Sequence, residues 1–149
     1  MTKFIPCIEA RISDRKAVED IDRFMDTEYT AEQFISGLFK SLVDVAQERF
    51  ILLCFNVKNV LLSYSIISQG TLTSSVVHPR EVLKHAILSN AASVIFIHNH
   101  PSGDPNPSID DIEITNLLLK AFKICGISIL DHIIVSSKDY WSFRHHNMI

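Results

Sequence analysis

The sequence predicts an α/β domain, a central mixed sheet flanked by helices, on three observations. Short apolar runs of strand length alternate with longer stretches whose apolar residues recur at helical spacing. One run, Val94-Ile95-Phe96-Ile97, is apolar without alternation, as a strand covered on both faces of a sheet must be. Pro79 and Gly126 stand where a helix begins and where one ends.

In chain order, residues 7–12 read as a short extended segment. Ser13 or Asp14 can cap a helix whose Ala17, Val18, Ile21, Phe24 and Met25 share one face. Residues 26–29 break that pattern. A second helix starts at Thr30, where Gln33 completes a capping box, and its stripe is Phe34, Leu38, Leu42 and Val45. It is expected to end near Gln47. Glu48 sits at the junction with a buried strand over residues 50–55. Lys58-Asn59 marks a turn into a second, antiparallel strand over residues 60–67. Gln69-Gly70 reads as a turn or bulge, and residues 72–77 as a short strand. The helix opened by Pro79 runs to about Asn90 with Val82, Leu83, Ala86 and Ile87 inward. After the strand over residues 93–97 comes a helix over residues 108–125, closed by Gly126. Residues 127–129, 132–135 and 140–143 read as three closing strands, and the tail from Arg144 as frayed.

Composition bounds the function. With 149 residues, 47% of them hydrophobic and 21% charged, the chain reads as one ordinary globular domain. A domain of this size buries roughly two-thirds of its unfolded surface, so a metal in it serves function rather than folding. The net charge of −3 and the lack of any Lys/Arg run give no strong nucleic-acid signal. Cys7, Cys54 and Cys125 form no Cys-x-x-Cys pair and suit the reduced thiols of a cytoplasmic protein, Cys54 and Cys125 buried within apolar runs. The N-terminus lacks the apolar core of a signal peptide, and no apolar run approaches the ~18 residues that span a bilayer, so no membrane is implied. The composition is compatible with a homo-oligomer.

The chemistry concentrates in residues 98–111, His-Asn-His-Pro-Ser-Gly-Asp-Pro-Asn-Pro-Ser-Ile-Asp-Asp. Residues i and i+2 of a strand point the same way, so His98 and His100 can present both imidazoles to one ion. Asp111 is placed to be the third ligand, because Ser108 and Asp111 share the first turn of the following helix. Two His and one carboxylate leave a fourth tetrahedral position for water, the pattern of a catalytic zinc rather than a closed structural one. Glu48, beside a buried strand, is the candidate general base, and Ser108 the candidate donor to an oxyanion. Pro101, Pro105, Pro107 and Gly103 stiffen the loop that carries the ligands.

Glu48, His98, His100, Ser108 and Asp111 together meet the pattern Glu…His-x-His-x₇-Ser-x₂-Asp. That pattern resembles the JAMM (MPN+) metalloprotease motif. More narrowly, His-Asn-His-Pro-Ser-Gly-Asp-Pro with Pro-Ser-x-x-Asp resembles the bacterial RadC family. The likeness extends to Gly70-Thr71-Leu72, His78-Pro79-Arg80-Glu81, Asn90-Ala91-Ala92 and Leu130-Asp131-His132-Ile133-Ile134, and covers roughly residues 30–143. The resemblance implies a three-layer α/β/α sandwich similar to cytidine deaminases in layout, formed by residues 30–149 after an extension over residues 1–29. It implies zinc on His98, His100 and Asp111, Glu48 as general acid/base and Ser108 as oxyanion stabiliser. Longer RadC-type proteins carry a helix-hairpin-helix module ahead of this domain; about thirty residues without a Gly-rich hairpin precede it here, so the resemblance implies a chain lacking that module.

The expected activity is hydrolysis of a peptide or isopeptide bond in a protein or peptide substrate. The alternative is a non-catalytic interaction or DNA-metabolism accessory module whose metal site is vestigial or regulatory. Ser108-x-x-Asp111 also has the form of an ordinary helix cap, a role compatible with ligation. Glu81 is the fallback base, although Pro79-Arg80-Glu81 reads as a helix start. Asp131-His132 reads as a strand-edge pair that orients loops, with support of the metal ligands as the sharper alternative.

Overall fold

The computed structural model describes residues 38, 40–43, 45–70 and 77–149. The extension over residues 1–29, the start of the helix expected from Thr30 and nearly all of the strand expected over residues 72–77 lie outside the described residues. The sheet begins with β1 (Glu48–Phe55), whose residues from Phe50 to Phe55 are all buried. Such a run is tolerated only where both faces of a strand are covered. The turn at Lys58-Asn59 leads into β2 (Leu61–Gly70), with Asn59 at φ 59° and Asn56 closing the turn from its side chain onto the amides of Lys58 and Val60. Helix α1 (Pro79–Leu88), strand β3 (Ser93–Asn99), helix α2 (Ile109–Ile124), strand β4 (Ser128–Val135) and strand β5 (Tyr140–Ser142) complete the chain.

The strands lie in the order β2-β1-β3-β4-β5. β1 is antiparallel to both β2 and β3, β3 is parallel to β4, and β4 is antiparallel to β5, so the sheet is mixed as expected. Alternation along the strands sorts the core into two layers. Phe50, Leu52, Cys54, Val94 and Phe96 pack with Val82 and Ala86 of α1 and Leu118 and Phe122 of α2. Ile51, Leu53, Phe55 and Ile97 pack on the opposite side with Leu38 and Leu42, which belong to a helical segment. This is the α/β/α layering of the expected fold.

Five local expectations are corrected. The helix that carries Leu42 is over by Val45, short of Gln47, which lets Glu48 be the first residue of β1. Gln69-Gly70 is not a turn but the paired end of β2; the irregularity lies two residues earlier, where Ile67 is passed over between the Phe50–Ser68 and Ile51–Ile66 pairs. Residues 127–129 and 132–135 do not form two strands. β4 runs through Asp131, and an extra residue at Leu130, between the Val94–Ile129 and Ile95–Asp131 pairs, breaks its apolar period. Ile87 and Cys125 are exposed rather than inward: α1 turns Val82 and Ala86 to the core, and Cys125 is the cap residue of α2.

The tail is folded rather than frayed. Phe143 is buried, the Met148 amide donates to its carbonyl, His146 stacks on Trp141 at 3.6 Å, and Ile149 packs against the core. Asp131 organises this end, accepting from the His132 and Arg144 amides and from the Ser142 hydroxyl. Among the described residues no helix is long and apolar enough to cross a membrane.

Candidate metal centre

Three core stripes run out into polar residues at the same end of the sheet. On β3, Val94 and Phe96 are followed on the same face by His98; on β1, Leu52 and Phe50 are followed by Glu48. Extending the Phe50–His98 pairing of these antiparallel strands by two residues, back along β1 and onward past β3, brings Glu48 toward His100. On α2, the inward residues Phe122, Leu118 and Thr115 lead to Asp111 in the first turn. Glu48, His98, His100 and Asp111 thereby converge, each offering a ligand atom within 4.8 Å of all the others.

The tightest distances are those of a metal's coordination shell. His98 Nε2 lies 3.0 Å from His100 Nε2 and 3.2 Å from Asp111 Oδ1, and His100 Nε2 lies 3.3 Å from Asp111 Oδ2. Zinc bonds of 2.0–2.2 Å at tetrahedral angles set ligand atoms about 3.3 Å apart, so the donor set fits that ion in both chemistry and spacing. The side chain of His98 is 2% exposed, while those of His100 and Asp111 are 15% and 12% exposed, so the cluster opens to solvent on the latter side.

The loop fixes His100. Its backbone amide donates to the Val135 carbonyl, and its Nδ1 lies 2.8 Å from the Asp104 carbonyl. A carbonyl only accepts, so Nδ1 carries the proton and Nε2 faces the cluster. Between the two, Gly103 closes a turn onto His100 with φ 83°, a conformation that favours glycine, and a Cβ there would meet Ser137 Oγ at 3.3 Å. Asp104 in turn accepts from the amide and side chain of Asn106, stiffening the loop between its prolines.

Ser108 is the N-cap of α2 and Asp111 its third residue, in a complete capping box. Asp111 Oδ2 accepts from the Ser108 amide at 2.8 Å and from the Ser108 hydroxyl at 2.6 Å, and the Asp111 amide donates back to Ser108 Oγ at 3.1 Å. Ser108 is thus beside the cluster, with its hydroxyl proton directed at Asp111. Burial opposes the charge on Asp111, but the His100 and His98 imidazoles beside it and the Ser108 hydrogen bond hold its carboxyl well below the usual carboxylate range. Burial likewise opposes a charge on His100, yet Asp111, the Asp104 carbonyl and the Glu48 charge raise its affinity for a proton above that of a free imidazole. Glu81 stays outside the cluster, at the start of α1, where it pairs with Lys84 and Arg80.

Of three further residues that matter here, sequence reasoning missed Asn99 and Thr115, and for His132 it preferred the strand-edge reading to support of the metal ligands. Asn99, between the two histidines, points to the opposite face and is buried. Its Oδ1 accepts from the Arg49 amide at 2.8 Å, and its Nδ2 donates to the Val45 and Gln47 carbonyls at 3.2 and 3.1 Å. One amide thus clamps the backbone on both sides of Glu48. Asn99→Ala in the metal-free protein is expected to cost about 2 kcal/mol, since three bonds to partly buried peptide groups are lost; urea midpoints measure it. The others are His132 and Thr115. His132 is no edge residue: β4 is an inner strand, and His132 is fully buried with Nε2 2.9 Å from His98 Nδ1. Thr115 lies beneath it on the stripe of Asp111. A polar residue one helical turn after Asp111 on a leucine-rich face was the available signal.

Comparison with known proteins finds relatives over most of the chain. A family model described as the RadC-like JAB domain matches residues 28–148. A UPF0758 protein of Methanosarcina barkeri is 43% identical over 112 residues, which cover 75% of this chain and 49% of that protein. A UPF0758 protein of Desulforamulus reducens is 48% identical over 116 residues, covering 77% of this chain and 51% of the relative. The chain spans about half the length of the curated relatives it matches.

Proposed function

The chain belongs to the RadC-like JAB domain family, and from that premise we propose that it is a zinc-dependent hydrolase of amide bonds, peptide or isopeptide, in a protein or peptide substrate. The observation that carries the reading is the tetrahedral spacing of His98 Nε2, His100 Nε2 and the Asp111 carboxylate, with Glu48 beside them. His98, His100 and Asp111 would hold the ion. Zinc supplies Lewis acidity there, bringing the pKa of water down to about 7.

The protein's own residues do the rest. Glu48 takes the proton of the attacking water and returns it to the leaving amine, as its half-buried place in the cluster allows. Ser108 holds Asp111 in orientation, and its hydroxyl, rotated off the carboxylate, donates to the oxyanion of the substrate carbonyl. The Asp104 and Val135 carbonyls keep His100 aimed.

Zinc titration tests the reading without a known substrate. One equivalent should bind, and binding should release protons, because His100 holds a proton more tightly than a free imidazole does in the metal-free protein. The sign follows: below the raised pKa of His100 the ion must displace that proton, so affinity weakens as pH falls, and proton release fades as pH rises above it. Calorimetry in buffers of different ionisation enthalpy measures both. A metal-replete protein that holds no stoichiometric zinc removes the hydrolase reading.

A further inference from the structure

We propose that His132 and Thr115 are a positioning pair that locks His98 in the tautomer able to bind a metal and ties it to the helix that carries Asp111. The inference rests on the reading of His98 as a ligand. It is carried by hydrogen-bond direction along a buried chain.

The chain starts from a group that can only accept. Thr115 Oγ1 lies 2.5 Å from the Asp111 carbonyl, so the hydroxyl proton is spent there. Toward His132 Nδ1, at 2.7 Å, the same oxygen must then accept, which puts the imidazole proton of His132 on Nδ1. His132 is enclosed by aromatic rings, Phe143 stacked at 4.8 Å and Phe50 and Phe96 edge-on at 5.4 and 5.8 Å, an environment that keeps the imidazole neutral. Its Nε2 is therefore a lone pair and accepts from His98 Nδ1 at 2.9 Å. His98 is left with its own lone pair on Nε2, the atom 3.0–3.2 Å from His100 Nε2 and Asp111 Oδ1. Each tautomer in the chain is dictated by the one before it.

Two consequences follow for the site. A neutral imidazole can carry its proton on either nitrogen, and the wrong choice at His98 would aim an N–H at the ion; the chain removes that choice before metal arrives. The chain also closes on itself. Asp111 binds the cluster through its carboxylate and anchors the Thr115–His132–His98 line through its backbone, so β3, β4 and α2 hold the two ligands in one frame.

The test compares His132→Phe and Thr115→Val with wild type by zinc competition against a chromogenic chelator. His132→Phe keeps a ring stacked on Phe143 but removes the acceptor for His98, and Thr115→Val keeps shape but removes the acceptor for His132. Both are expected to weaken zinc binding by about 10- to 100-fold, and His132→Gln, which restores an acceptor, to regain part of it. A role in packing alone would lower the thermal midpoint of the variants and leave zinc affinity unchanged, and that result overturns the proposal. Imidazole 15N spectra of the metal-free wild type give a second readout, with His98 and His132 both expected as Nδ1–H. An Nε2–H signal from His98 overturns it even where a variant fails to fold. Failure of the wild type to bind zinc would defeat the hydrolase reading instead, and the tautomer spectra would still decide this one.

Discussion

Glu48→Gln is expected to bind one equivalent of zinc with wild-type affinity and to lose hydrolysis by about 10²- to 10⁴-fold, the usual contribution of a general acid/base. The substitution keeps the size and hydrogen-bonding reach of the side chain while removing its ability to take a proton. Metal binding should survive because His98, His100 and Asp111 are fixed by other elements: β4 and α2 hold His98, the proline loop holds His100, and the capping box holds Asp111. The Asn99 clamp acts on the backbone of Val45, Gln47 and Arg49, so it keeps residue 48 in place whichever side chain is there. The same variant is the tool for finding the substrate, since a site that binds but cannot turn over retains what it captures. Full hydrolysis of an identified substrate by Glu48→Gln would place the base elsewhere. Glu81, engaged with Lys84 and Arg80 at the start of α1, could serve only after a rearrangement.

What the sequence disclosed of this site, and what it withheld, divides by the range of the interactions. His98 and His100 were readable from strand alternation, and Ser108 with Asp111 from helix capping, because each pair is local. Glu48 was readable only through a motif. Its place near His100 depends on the Phe50–His98 register, which joins strands almost fifty residues apart in the chain. Asn99 and His132 lie within segments that carry the family likeness, yet those segments name no partner for either. Asn99 finds its partners across the β1–β3 pairing and His132 across the β3–β4 pairing, so neither side chain's role exists until the sheet is assembled. The fold shows the same division. The apolar strands and the two long helices were visible as periodicity, whereas the bulge at Leu130 imitated a strand break. The tail looked frayed because its anchors, Asp131 and Trp141, belong to β4 and β5.

Asp111 does two jobs, and two substitutions separate them. Asp111→Ala and Asp111→Asn should both lose zinc, by more than the roughly 100-fold expected for removing a partner of a ligand, since each deletes a charged donor outright. Their metal-free stabilities should differ. Asn retains an oxygen that can accept from the Ser108 amide and hydroxyl, whereas Ala abandons half of the capping box and is expected to cost about 1 kcal/mol, read from urea midpoints. Their pH dependence should differ from that of wild type in a defined window. The Asp111 carboxyl is depressed, so its contribution to the metal-free fold is present above its unfolded pKa near 4 and fades as pH falls through the native value. The His100 pKa is raised, so its contribution is complete below its unfolded pKa near 6.5 and fades as pH rises through the native value. The pair therefore stabilises the metal-free protein most between about pH 4 and 6.5, and neither Asp111 variant should show that rise. Zinc should erase the upper edge of the window in wild type, because the ion takes over the charge that the His100 proton supplies. An Asp111→Asn variant that kept the wild-type pH profile would mean that the carboxylate and His100 are not coupled, and the spacing of their atoms would then be a matter of packing rather than of a charge the site is built to hold.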